Sequence, residues 1–263
     1  MYKIGLKLWS INENYINEAI RLYEDGYYDY VELYAVPDSY DRFANLWKKL
    51  KAPFVIHAPH FGSGLNFSIK EQLETNRKYA FESFKFADLL KADKIIFHPG
   101  VNGDIEESIK QINSMRDDRM VIENKPYLGN GENLFSIGST PEEIKFILDS
   151  TNISFCLDFG HAICSANAHK REVFGFIKEF LSLSPVMFHL TDGDFNGVYD
   201  SHLHYGDGSF PIDKLTSFVP EGAMITNESV KNYTDKLDDF VNDVLFLRKL
   251  FIKKRSEVVY SEN

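Results

Sequence analysis

Between Tyr199 and Pro211 the chain reads YDSHLHYGDGSFP, placing Asp200, His202, His204 and Asp207 in a stretch without apolar periodicity. A tight turn has use for Gly, Asp and Ser, whose backbone freedom and local hydrogen bonds shape it, but it has no use for imidazoles. Histidine is the commonest metal ligand. Partners of the right type recur along the chain: His57 in HAP, His98 in FHPG, Glu123 in IEN, Asp158 and His161 in LDFGHA, His189 in HLTD, and Glu228 in TNES. Mixed nitrogen and oxygen donors without cysteine suit Zn2+ or Mn2+ better than calcium or an iron–sulfur cluster. Gathered in one place, four carboxylates would repel one another and raise their own pKa values. Divalent metal is the expected compensation, with no Lys or Arg expected at those positions.

The elements that must gather these groups are short runs rich in Ile, Val, Phe and Tyr. They are KIGLKLW from Lys3, YVELYA from Tyr30, PFVIHAP from Pro53, KIIFHPG from Lys94, MVIENKP from Met120, ISFCLDFGH from Ile153, VMFHLTDG from Val186 and AMITNES from Ala223. Segments of helical spacing separate them, such as Leu73, Ala80, Phe84 and Ala87, or Leu237, Val241, Val244 and Phe251. Eight βα units with strands apolar on both faces predict an α/β fold, a single (β/α)8 TIM barrel. An open doubly wound sheet is the alternative, but no GxGxxG follows the first strand. In a barrel the chemistry sits at the C-terminal ends of the strands and in the loops after them. His57, His98, Glu123, Asp158, His189 and Glu228 occupy those ends, with His161, Asp200 and His202 in the following loops. A lone histidine at a strand end more often satisfies a hydrogen bond than binds metal; convergence of five reverses that. The remaining three, His60, His169 and His204, are read as structural.

Composition agrees with one core. The chain has 263 residues, 44% of them apolar, and no linker or sequence repeat, so residues 1–255 are read as the barrel and 256–263 as a polar tail. A formal charge of -10 argues against a protein that coats nucleic acid, while leaving room for a local basic patch. Cys156 and Cys164 are too sparse for a disulfide scaffold and are expected to pack as reduced thiols. No charged leader or long apolar run is present, and a soluble cytoplasmic protein with no membrane partner is expected.

Taken in order, HAP, FHPG, IEN, LDFGHA, HLTD, DSHLHYGDG and Glu228 resemble endonuclease IV and the wider xylose isomerase-like TIM-barrel superfamily over nearly the whole chain. That resemblance implies a trinuclear zinc centre. His57, His98 and Glu123 would hold one ion, and Glu123 would bridge to a second held by Asp158, His189 and Glu228. His161, Asp200 and His202 would hold the third. It also implies phosphoester hydrolysis, with Glu123 and Glu228 as catalytic residues and a phosphoester substrate such as abasic DNA. Relatives that isomerise or epimerise sugars or sugar phosphates share much of the pattern and need fewer ions. The chain departs from endonuclease IV after His98, where PGVNGD replaces Ser-His, and after Glu123, where NKPYLGNGE replaces Thr-Ala-Gly-Gln-Gly. The loop VPDSYDRF offers one arginine, Arg42, where that family has a polar and basic DNA-penetrating loop; Lys125 and Lys7 are the other candidate rim cations. His60 and Phe61 either stack on a base or wall a small pocket.

Overall fold

The computed structural model describes residues 2–261, with side chains through Phe251. Eight parallel strands close into a barrel in sequence order. They are β1 (Lys3–Trp9), β2 (Tyr30–Tyr34), β3 (Phe54–His57), β4 (Ile95–Phe97), β5 (Met120–Glu123), β6 (Ser154–Asp158), β7 (Met187–Leu190) and β8 (Met224–Asn227). Helices α1 (Ile16–Glu24), α2 (Tyr40–Trp47), α3 (Leu73–Leu90), α4 (Ile105–Met115) and α5 (Pro141–Thr151) follow the first five strands. A pair, α6 (Phe159–Ala168) and α7 (Val173–Leu181), follows the sixth, and α8 (Ile212–Ser217) and α9 (Asp238–Ser261) complete the ring. The single (β/α)8 barrel expected from the sequence is the fold observed. The last helix enters the segment read as a polar tail, whose final two residues lie outside those described.

Two packing layers follow from the period-two alternation of strand side chains. Leu6, Leu33, Ile56, Phe97, Ile122, Leu157, Phe188 and Ile225 face the helices and join one large apolar cluster. Tyr30, Val55, Ile96, Val121, Cys156 and Met187 form a separate cluster inside the barrel, with Met224 against it. Two residues further along each strand, on the same inner face, stand Glu32, His57, His98, Glu123, Asp158 and His189. The barrel is thus plugged by an apolar layer with a titratable layer directly above it. Both cysteines are buried and free, Cys156 within the inner plug.

Gly5 makes the plug fit. A Cβ at that position would lie 2.4 Å from the Tyr30 ring, so only glycine lets this aromatic cross the barrel interior, where its hydroxyl meets Thr226 Oγ1 at 2.8 Å. Among the described residues no helix is long and apolar enough to cross a membrane.

Candidate metal centre at the barrel mouth

Four groups of ligand-type atoms lie within 4.8 Å of one another at the C-terminal end of the barrel: His57, His98 and Glu123; Glu123, Asp158 and His161; His161, Asp200 and His202; and Glu32, His189 and Glu228. Glu123 belongs to two of these groups and His161 to two. All nine residues expected from the sequence therefore converge. Glu32 joins them unforeseen.

Local hydrogen bonds aim the imidazoles. His57 Nδ1–H donates to the Ala58 carbonyl at 2.8 Å, which leaves Nε2 toward Glu123 Oε2, 3.2 Å away. His98 Nε2 lies 3.1 Å from the same oxygen. His161 is set by the start of α6, whose N-cap Asp158 accepts its backbone N–H at 2.7 Å. The His161 ring then places Nδ1 2.9 Å from Glu123 Oε1 and Nε2 3.2 Å from Asp200 Oδ2. His202 brings Nε2 to 2.7 Å from the same Asp200 oxygen. His189 Nδ1 and His202 Nδ1 are buried without a hydrogen-bond partner. Orphaned nitrogens beside several carboxylates are what a divalent ion would satisfy, so the residues present fit the group.

The loop that carries Asp200 and His202 is organised by Asp192, just past β7. Its carboxylate is buried and accepts the backbone N–H groups of Gly193, Gly206 and Phe210 at 2.8, 2.8 and 2.9 Å. Gly206 has φ of 95°, and a Cβ on Gly208 would lie 2.4 Å from Asp192 Oδ1, which explains the two glycines. His202 itself adopts φ of 48°, a left-handed conformation that a β-carbon disfavours.

Positive charge enters the layer as well, which corrects the expectation that metal alone balances the acids. The Lys7 ammonium contacts both Glu32 and Glu228. Lys125 Nζ reaches Glu123 Oε1 at 3.3 Å, His161 Nε2 at 3.2 Å and His98 Nε2 at 3.4 Å. Burial alone would raise the Glu123 carboxyl, but Lys125, His98 and His189 hold it well below the usual carboxylate range. Glu228 is held low against burial by His189 and Lys7, and Asp200 by His202 and His161. Asp158 goes the other way: burial raises it in spite of His161. For His161, burial is overcome chiefly by Asp158, and the ring rises to about 10. His189 and His202 are raised too, against their burial, by the carboxylates around them.

The other sequence expectations sort by position. His204 is structural, its Nδ1 2.9 Å from Asp243 and its Nε2 2.9 Å from Asn232. His169 caps α6 and packs on Tyr127. His60, read as structural, instead lines the mouth beside Phe61 and His98, where burial and Lys125 push it down to about 4. Arg42 is not at the mouth: it pairs with Glu13 at 3.8 Å and lies over Phe43. The mouth is a cavity of about 780 Å³, with Trp9, Tyr34, His60 and Phe61 on one side and Lys7, Lys125 and Lys231 among its polar lining. Cross-loop bonds fence it: Tyr15 to the Tyr233 carbonyl, Asn14 to Thr234, Val230 N–H to His202 O at 3.2 Å.

The model of a family described as xylose isomerase-like TIM barrel matches residues 21–249. A D-tagatose 3-epimerase-like protein superposes with a TM-score of 0.71 at 18% identity, covering 97% of this chain and 99% of its own. Endonuclease IV from Thermus thermophilus gives 0.68 at 16%, covering 95% and 99%. Another Thermus thermophilus protein, soaked with zinc chloride, gives 0.67 at 19%, covering 94% and 97%. At these identities the likeness speaks for the fold alone. No curated protein matches the chain by sequence.

Proposed function

Since the chain belongs to the xylose isomerase-like TIM-barrel family, we propose that it is a divalent-metal-dependent enzyme of endonuclease IV type that hydrolyses a phosphoester of a small molecule at the barrel mouth. The observation that carries this reading is the sharing of ligands. Glu123 and His161 each belong to two groups, which chains three of the four together, and His189 Nδ1, 3.6 Å from Glu123 Oε2, brings the fourth alongside. Such a centre could hold two or three ions such as Zn2+, with Mn2+ also suited to the donor set. Bound there, such ions would polarise a phosphoryl group and acidify a water near it.

This chain's own residues supply the rest. Glu123 on β5 and Glu228 just past β8 would hold the centre, while Lys7, Lys125 and Lys231 bring ammonium charge to a cavity also lined by Trp9, Tyr34, His60 and Phe61. That distribution suits an anionic head and a flat or sugar-like body. A cavity of about 780 Å³ fenced by cross-loop bonds suits a small molecule better than a duplex, and Arg42, the arginine expected to contact a phosphate backbone, lies outside the residues that line it.

A second reading, isomerisation or epimerisation of a sugar or sugar phosphate, is favoured by Lys125. Its ammonium lies among ligand atoms of three groups, where it competes with a full complement of ions. A single ion among Glu123, Asp158, His189 and Glu228 would then orient the substrate, and one carboxylate would move a proton. Zinc- or manganese-loaded protein incubated with sugar phosphates in deuterium oxide separates the two. Chelator-sensitive phosphate release is expected. Deuterium incorporation without phosphate release would establish the second reading, and nicking of an abasic duplex would return the substrate to DNA.

A further inference from the structure

Glu32 is a fully buried carboxylate in the middle of β2, a position that nothing in the nine-ligand arrangement accounts for. It stands beside Lys7 of β1 in the strand register and reaches across the barrel interior. One carboxylate oxygen, Oε2, lies 2.9 Å from His189 Nε2 on β7 and accepts the Thr226 hydroxyl of β8 at 2.6 Å. The other takes the Lys7 ammonium. On the far side of the same imidazole, Nδ1 has no hydrogen-bond partner and faces Glu228 Oε1 at 3.2 Å, Glu123 Oε2 at 3.6 Å and Asp158 Oδ2 at 3.9 Å. One nitrogen is tied to a carboxylate, and the other is aimed into a ring of oxygens. A carboxylate that accepts from one ring nitrogen fixes the tautomer and orientation of a ligating histidine and makes the other nitrogen a better donor.

We propose that Glu32 is a positioning residue for His189: it holds the Nε2–H and so directs the Nδ1 lone pair toward Glu123, Asp158 and Glu228. Lys7, shared between Glu32 and Glu228, ties this support to a ligand on the opposite side of the ring. Thr226 adds a second hydrogen bond to Glu32, and Tyr30 in turn meets Thr226, so the carboxylate is anchored from β1, β8 and β2. The proposal rests on the metal-centre reading. It differs from a role for Glu32 as a direct ligand, for which Glu32, His189 and Glu228 also lie close enough.

Nitrogen-15 NMR of the zinc-loaded full chain reads the arrangement directly. Metal on His189 Nδ1 with a slowly exchanging proton on Nε2 is expected; metal on Nε2 overturns the proposal. In the same chain Glu32→Gln should weaken zinc binding about 10- to 100-fold in a chelator competition, with the number of ions bound at saturation unchanged. Unchanged affinity, or loss of one whole equivalent of zinc as for a direct ligand, overturns it. Should Glu32→Gln fail to fold, the NMR experiment on the unsubstituted chain still decides. A chain that takes up no zinc defeats the centre itself, whereas zinc uptake through Nε2 defeats only the role of Glu32.

Discussion

At the scale of single residues, the mouth concentrates its strain and its orphaned atoms on His202. This side chain is about a third exposed, its backbone is left-handed, and its Nδ1 lacks a partner while Nε2 is 2.7 Å from Asp200. His202 lies on the rim, outside both apolar core clusters, so His202→Ala should lose one bound ion by elemental analysis. Its thermal stability in chelator should fall by less than about 1 kcal/mol. Unfolding without ion loss would make His202 a structural residue. Glu228→Gln removes a buried anionic donor and should lower turnover by about 10² or more while the chain remains folded. Lys231 yields a pH prediction. Burial lowers its ammonium to about 8 in spite of Asp239 and Asp243, so its charge is present below that pH and lost above it. An anionic substrate should therefore show KM rising above pH 8, and Lys231→Met should show the high KM at every pH. The ligand types were legible in the sequence because six of them stand at or just past strand ends and the other three, His161, Asp200 and His202, lie in the segments that follow. Glu32 was equally visible in YVELY, as a charge at the centre of an apolar run, but the rule of looking only at strand ends passed over it. Lys7 and Lys125 were legible as rim cations, but the carboxylates they pair with were not, since a flexible four-carbon stem gives no sign of where its ammonium rests.

Among the elements, the strands were fully legible and the loops were not. Eight apolar runs, each closed by or next to a ligand-type or polar residue, point to the barrel, and the two-residue period of strand side chains then fixes which face inward. A one-residue slip would turn the strand-end ligands outward. The loop after β7 has no such periodicity. Its shape depends on Asp192, whose three backbone acceptances and whose paired bonds with Leu203 at 3.0 Å hold the arm bearing Asp200 and His202. Asp192→Ala leaves buried N–H groups unpaired and should cost about 3 kcal/mol. It should also weaken ion binding at His161, Asp200 and His202, measurable as an early-released equivalent in a chelator titration. Gly5→Ala tests the plug beneath. With Tyr30 only 2.4 Å from the new carbon and strands on both sides, the ring cannot withdraw, and overpacking of about 1–3 kcal/mol is expected in denaturant unfolding.

For the molecule as a whole, the titratable layer links metal, protons and stability. His161 is raised to about 10 and His189 well above its usual range, so at neutral pH these two rings hold protons that an ion must displace, and His202 is shifted in the same direction. Ion binding should release protons and strengthen as pH rises. Calorimetric titration of zinc in two buffers of different ionisation enthalpy counts the protons; a count of zero would mean that the rings are already neutral. The sign reverses for the metal-free chain. A histidine whose folded pKa lies above its unfolded value near 6.5 contributes stability that is complete below that pH and is lost as pH rises through the folded value. For His161 that window runs from about 6.5 to about 10. The chelated protein should therefore melt at progressively lower temperature across this window. With zinc at about a thousand times its Kd, each filled site should add about 4 kcal/mol, and that gain should hold or grow over the same range. Melting curves taken with and without zinc should then diverge as pH is raised from 6.5. Parallel curves would show that the imidazoles of this layer pair with carboxylates in both forms and give up no protons to an ion.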